Sequence, residues 1–336
     1  MSALSNLLIP AVLFFALGFL ARAVKSDLRL PQDLAKGLSI YLLMAIGLHG
    51  GYALGKADLA TAFNAVLWAI ILGFLLPVAG YALLKATRRV DSMNAAAIAA
   101  HYGSVSAGTF LTAIAYLDNL GIDYESYPVI MLAVMESPAI IVGLLLASWS
   151  RQRLVAVGNG DVGALQVDHG GTSWPGLLHE AFTNGSVVLL IGSMVIGAVS
   201  TPAGMEKLFP FIDDIFMGVL CLFLFEMGME AARRIREFRK VGTVLLAFGL
   251  IMPLIGGAAG IFVGHWVLGL SVGGVTLVSV LGASASYIAV PPAMRLAVPE
   301  ANPSFYLTLA LGITFPFNVV IGIPLYHHLA TLAAGA

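Results

Sequence analysis

GSVSA (Gly103–Ala107) and GASAS (Gly282–Ser286) each interrupt a segment otherwise apolar enough to cross a membrane, and they lie about half a chain apart. Small, flexible residues in mid-bilayer leave backbone N–H and C=O groups unpaired, which hydrocarbon tolerates only where they line a cavity inside the protein. Two breaks at matching places in two halves predict a binding site at a repeat interface, of the kind secondary transporters use.

The composition around the breaks supports a membrane setting. The 336 residues are 59% hydrophobic and 10% charged, with mean hydropathy +0.94, whereas a soluble domain carries roughly 25% charged residues. The sequence therefore reads as an all-α integral membrane protein. Its apolar start, Leu4 to Val24, has Arg22 and Lys25 at its far end, which fits a first span better than a cleaved signal. A net charge of -1 gives no nucleic-acid footprint. Cys221 is alone, so there is no disulfide framework. No phosphate loop, dinucleotide fingerprint or nucleophile elbow occurs, and no nucleophile–base pair falls in the spans; an enzyme is not expected.

Spans of about 20 apolar residues can be drawn at 5–24, 35–54, 60–84, 93–117, 126–149, 184–200, 210–231, 241–268, 272–296 and 305–330. With the N-terminus outside, fifteen of the 17 Lys and Arg residues fall on the cytoplasmic side, and only Lys56 and Lys207 lie outside. That asymmetry predicts a multi-pass protein of the plasma (inner) membrane with ten spans and both termini outside the cytoplasm. Residues 1–150 form a first five-helix repeat, 151–183 a polar, Gly-rich cytoplasmic linker, and 184–336 a second five-helix repeat. Ser104-Val105-Ser106 matches Ser284-Ala285-Ser286, Glu136-Ser137-Pro138 matches Thr314-Phe315-Pro316, Ile46-Gly47-Leu48 matches Met227-Gly228-Met229, and Pro77 matches Pro253. The four matches keep one order and a nearly constant spacing of about 180 residues. An odd number of spans per repeat inverts the second against the first, with the two broken helices crossing at the midplane.

A half-helix starting inside the membrane points free N–H groups and partial positive charge at whatever fills the break. Pro291 and Pro292 suit the first turn of such a restart. No Lys or Arg lies deep in the spans, so an anion would be held by backbone N–H groups and by Ser104, Ser106, Thr109, Ser284 and Ser286, a provision suited to a small planar oxyanion. The bland alternative is that serine and glycine only let the helices pack closely. Glu136 and Glu226 are carboxylates within spans, where charge faces a cation, a proton path or water. Glu136 is the first candidate for a coupling ion, with Ser106, Ser284 and His101 as further candidates; Glu226 and Glu230 also have Arg233 and Arg234 within reach. The histidines lack metal-ligand spacing, and no metal site is expected.

Gly273-Gly274-Val275, the Ser284/Ser286 break, Pro291-Pro292, Arg295 and the run Pro299 to Ser304 together resemble the SbtA-type sodium-dependent bicarbonate transporters. So do the runs Gly47 to Gly51, Gly103 to Ser106, Met227 to Ala231 and Arg234 to Val241, so that the likeness covers essentially the whole chain. The resemblance implies ten helices in two inverted five-helix repeats, a homotrimer, bicarbonate–sodium symport, and in some members a PII-like cytoplasmic regulator. It implies a substrate site on Gly103, Ser104, Val105, Ser106, Ser284, Ala285 and Ser286, with sodium as coupling ion and no other cofactor. The chain departs from the family pattern at Tyr287, where an aspartate is usual, at Glu136 in place of a shorter aspartate, and at Ala107-Gly108 in place of glycine–serine. Tyr287 is added to the site as a hydrogen-bond donor to an anion or a closure of the pocket. Three functions stay open on the sequence: a sodium-coupled importer of bicarbonate, a proton- or sodium-coupled carrier of another small oxyanion or short carboxylate, and a non-transporting sensor on the same fold.

Overall fold

The computed structural model describes residues 10–28, 30–157, 185–235, 242–288 and 290–335, and every regular element among them is helical. In chain order these are α1 (Pro10–Ala23), α2 (Gln32–Leu54), α3 (Leu59–Ala86), α4 (Ser92–Gly103), α5 (Ala107–Leu120), α6 (Tyr127–Val157), α7 (Gly185–Val199) and the short α8 (Pro202–Glu206). After a π-helical turn at Pro210–Asp214 come α9 (Phe216–Ile235), α10 (Gly242–Phe262, extended by a π-helical turn at Val263–Val267), α11 (Val272–Ala283), α12 (Val290–Ala297) and α13 (Pro303–Ala333). Among the described residues six stretches are long and apolar enough to cross a membrane: Asp33–Leu54, Leu59–Ala86, Tyr127–Arg151, Pro210–Arg234, Gly242–Val267 and Pro303–Ala333. The expected fourth and ninth spans are divided into α4 and α5, and into α11 and α12, so neither reaches spanning length in one piece. The helix α6 runs on to Val157, past the expected boundary at 150. The remainder of the expected linker and the run 236–241 lie outside the described residues.

Local chemistry starts the helices where the loops end. Asp58 caps α3 by accepting from Thr61 N–H at 2.8 Å, and Asp91 caps α4 by accepting from Met93 and Asn94 N–H. Ser271 caps α11, and Asn302 caps α13. Each satisfies a donor that the first turn leaves without an intrahelical partner. Pro77, Pro138 and Pro253 sit inside helices, tolerated where neighbouring helices re-satisfy the freed carbonyls.

The two most extensive helix pairs are α1 with α9 and α2 with α7. Both close on glycine. A Cβ on Gly18 would stand 1.9 Å from Phe225 O, and one on Gly228 2.1 Å from Phe15 O; in the second pair a Cβ on Gly51 would stand 2.0 Å from Met194 O, and one on Gly197 2.2 Å from Leu48 O. Backbone lies against backbone there, as small residues permit between membrane helices. The other helices gather around α4, α5 and α11, which are buried along almost their whole length. By contrast, α3 turns Leu59, Phe63 and Leu67 outward, a surface suited to lipid.

Candidate substrate site

The first break is short. The helix α4 ends at Gly103, where an added Cβ would strike the Pro77 ring at 1.9 Å. Ser104 and Ser106 are extended, at φ -86° and -113°. The Ser106 hydroxyl accepts from Thr109 N–H at 3.1 Å and from the Thr109 hydroxyl at 2.9 Å, and α5 begins at once. Ala107 and Gly108 are its first two residues, and the first intrahelical bond goes from Phe110 N–H to Ser106 O. Their N–H groups therefore have no intrahelical acceptor and point into the break.

The second break is longer. The helix α11 ends at Ala283, and helix resumes only at Val290, with Pro291 and Pro292 in the first turn. Asn318 of α13 holds the end of α11: its amide donates to Ala283 O at 2.9 Å, while its Oδ1 accepts from Tyr326 at 3.0 Å. The pitch of α13 loosens to π over Thr308–Thr314 and Asn318–Gly322 as it passes the breaks, a distortion frequent at functional sites. Thr314 accepts from Tyr102 and donates to Gly249 O, bracing the end of α4 against α10.

The two breaks bind each other. Ser106 N–H donates to the Ser284 hydroxyl at 2.9 Å, and Ser286 N–H donates to His101 O at 2.8 Å. Two N–H groups that the sequence offered to an anion are thus already used, and the Ser284 hydroxyl itself donates to Leu281 O at 3.0 Å. Of the residues expected at the site, Val105, Ser106, Ser286, Tyr287 and Glu136 meet around one small cavity of about 10 Å³. Ala107 and Ile288 complete its wall from the breaks, and Leu43 of α2 closes it. Gly103, Ser104, Thr109, Ser284, Ala285 and His101 do not line it. Ser104 is buried with no hydrogen-bond partner for its oxygen. Thr109 steadies the Ser106 cap. The His101 ring donates through Nδ1 to Ala97 O at 2.6 Å and stacks on Tyr306 at 4.3 Å. Glu136 is 9% exposed, and its Oε2 has no hydrogen-bond partner. Among the described residues no cluster of three or more His, Cys, Asp or Glu could hold a metal ion.

A second cavity of about 560 Å³ opens at one end of the molecule, between α2, the end of α5, the α5–α6 loop and the turn before α9. Its walls carry His49, Asp118, Asp123, Tyr124 and Asp213, with His49 Nδ1 3.4 Å from Asp213 Oδ1. Ile46 lines this vestibule and Leu43 lines the small cavity; they are one helical turn apart on α2, so the two spaces are stacked along that helix. At the far end of α6, Arg151 forks onto Glu300 with two contacts of 2.8 Å and reaches Ala297 O at 2.7 Å. Glu230 pairs with Arg234 and Arg233, the structural partners expected for it. The sequence offered no sign of Asn318 or the vestibule aspartates as neighbours of the site, although Thr314 stood in the repeat match to Glu136.

No curated protein matches the chain. A sequence model of the Na+-dependent bicarbonate transporter superfamily matches residues 10–331, nearly the whole chain. With that coverage, and with apolar helices that carry it through a membrane several times, the chain belongs to the Na+-dependent bicarbonate transporter superfamily, a family of transporters and not of enzymes.

Proposed function

We propose that this chain imports bicarbonate together with sodium, by alternating access between two inverted five-helix repeats that make ten spans. The observation that carries the reading is the mutual binding of the two breaks around a cavity where Ser106, Ser286 and Glu136 converge. The open N-terminus of α5 supplies partial positive charge for a compact oxyanion, and Glu136 supplies a hard oxygen ligand for the cation.

The packing supports the inverted repeats. The α1–α9 and α2–α7 pairs each join one helix from either half, and by their glycine contacts Gly18 of α1 corresponds to Gly197 of α7, and Gly228 of α9 to Gly51 of α2. That register aligns Gly228 with Gly51, one turn beyond the Gly47 suggested by the sequence match. With the N-terminus outside, the vestibule faces outward, and its aspartates raise the local concentration of cations at the mouth. Moving one negative charge inward against an inside-negative potential costs about 2.3 kcal/mol per 100 mV, which one accompanying sodium cancels.

Uptake of radiolabelled bicarbonate into proteoliposomes, with external sodium compared against choline at fixed pH, tests the reading. The expected result is sodium-dependent uptake that Glu136→Gln abolishes. Uptake indifferent to sodium but driven by a pH gradient would replace sodium with a proton, the second reading, favoured by the unpartnered Glu136 oxygen. Folded protein with no flux under either gradient would overturn both.

A further inference from the structure

The cavity between the breaks holds about 10 Å³, room for about one water molecule. Bicarbonate has four non-hydrogen atoms, so something must leave before an oxyanion reaches the first turn of α5. Tyr287 is one wall of the cavity. A Cβ on Gly108, the second residue of α5, would lie 2.3 Å from the Tyr287 hydroxyl oxygen and 3.0 Å from the Phe223 ring. The hydroxyl therefore stands where the side chain of residue 108 would be, beside the first turn of α5. It is a buried oxygen with no hydrogen-bond partner, set beside a helix N-terminus of the kind that binds oxyanions.

What holds the ring also bears on what releases it. Tyr287 is 9% exposed. Phe223 belongs to α9, and the Tyr287 ring meets Phe315 edge-on at 5.6 Å, which meets Phe15 of α1 edge-on at 5.5 Å. The helices α1 and α9 are the glycine-sealed pair that packs beside the broken helices, so an outward shift of this pair removes Phe223 and loosens the aromatic chain together.

We propose that Tyr287 is a plug that mimics the substrate: its hydroxyl occupies the oxyanion position in the empty carrier, Gly108 is the notch that admits it, and withdrawal of α1 and α9 frees it. The pair Gly108–Tyr287 thereby sets which anions gain entry. The role rests on the proposed transport site, and its test is arranged to separate the two.

Two measurements are needed. In the first, Val105→Cys is introduced on a Cys221→Ala background as a reporter inside the cavity, and its alkylation by iodoacetamide is timed in purified protein. Tyr287→Ala is expected to speed labelling by on the order of tenfold or more, because thiol reactivity follows exposure, and bicarbonate is expected to slow it again. Equal rates with and without Tyr287→Ala overturn the plug. In the second, bicarbonate uptake is compared across Gly108→Ala, Tyr287→Phe and the double variant. Gly108→Ala alone is expected to lower uptake by about tenfold or more, because the added methyl takes the notch and forces the hydroxyl into the cavity that the anion must enter. Tyr287→Phe, which lacks the opposing oxygen, is expected to restore most of it. An equal loss in both backgrounds overturns the notch-and-plug pairing. If wild type moves no bicarbonate, the transport reading fails, and the labelling rates still decide whether Tyr287 seals the cavity.

Discussion

The two helix breaks begin from nearly the same residues and end in different chemistry. At the first, Ser106 caps α5 immediately, and a helix N-terminus opens straight onto the cavity. At the second, the chain runs on from Ser284 to Val290, prolines remove donors from the next helix start, and Tyr287 lies across the gap. One break presents charge; the other supplies the closure. Two similar stretches of sequence bind each other through backbone N–H groups, and the differences between them decide what the junction can hold.

The supports of the breaks differ as well, and substitution can expose the difference. Gly103 lies against the Pro77 ring, whereas Gly282 lies 2.3 Å, measured from an added Cβ, from the backbone oxygen of Gly256. Alanine at either site is expected to destabilise by about 1–3 kcal/mol through overpacking. Pro77→Ala should rescue Gly103→Ala in thermal unfolding. No side-chain change at 256 can rescue Gly282→Ala, because the obstacle there is main chain. Rescue of both, or of neither, would mean that the breaks are braced alike.

A smaller effect separates the serines. Ser106→Ala removes the cap on α5, at a cost of about 1 kcal/mol, and should depress both melting temperature and uptake. Ser286→Ala leaves its N–H bond to His101 O in place, so uptake should fall while stability holds. Loss of stability at Ser286 would assign its hydroxyl to the fold and not to the site.

The smallest effect lies at the far end of α6. The Arg151 guanidinium donates to Glu300 and holds that carboxyl below its usual range. A carboxylate of this kind stabilises at pH above the ordinary carboxylate pKa, and the contribution is lost as pH falls through the lowered value. The pair is 36% and 47% exposed, so Glu300→Gln should cost below about 1 kcal/mol at neutral pH. The gap in melting temperature from wild type should close as pH drops below about 4. A gap that persists in acid would show that packing, and not charge, holds this loop.

Much of this arrangement was legible in the residues. GSVSA and GASAS marked both breaks, since serine and glycine in mid-bilayer have few other uses. The pairing of Glu230 with Arg233 and Arg234 followed from helical spacing. Other features depend on contacts between distant segments, which no local pattern encodes. The fork of Arg151 on Glu300 joins residues 149 positions apart. Gly108 and Tyr287 each stood out as a departure from the family pattern, yet only their contact makes them one feature. The use of Ser106 and Ser286 N–H groups by the opposite break could not be foreseen either, because an extended segment and a free one read alike in sequence.

The bond from Ser106 N–H to the Ser284 hydroxyl spans 178 residues of chain. At ribosomal rates of about 5–20 residues per second, Ser106 is synthesised roughly ten to forty seconds before its partner. Through that interval the first break sits in the translocon or bilayer with an unmet donor, a substrate for chaperones and proteases that watch membrane insertion. Chains truncated before Ser284 should be degraded, and two fragments severed between Val157 and Gly185 should survive only when made in the same cell.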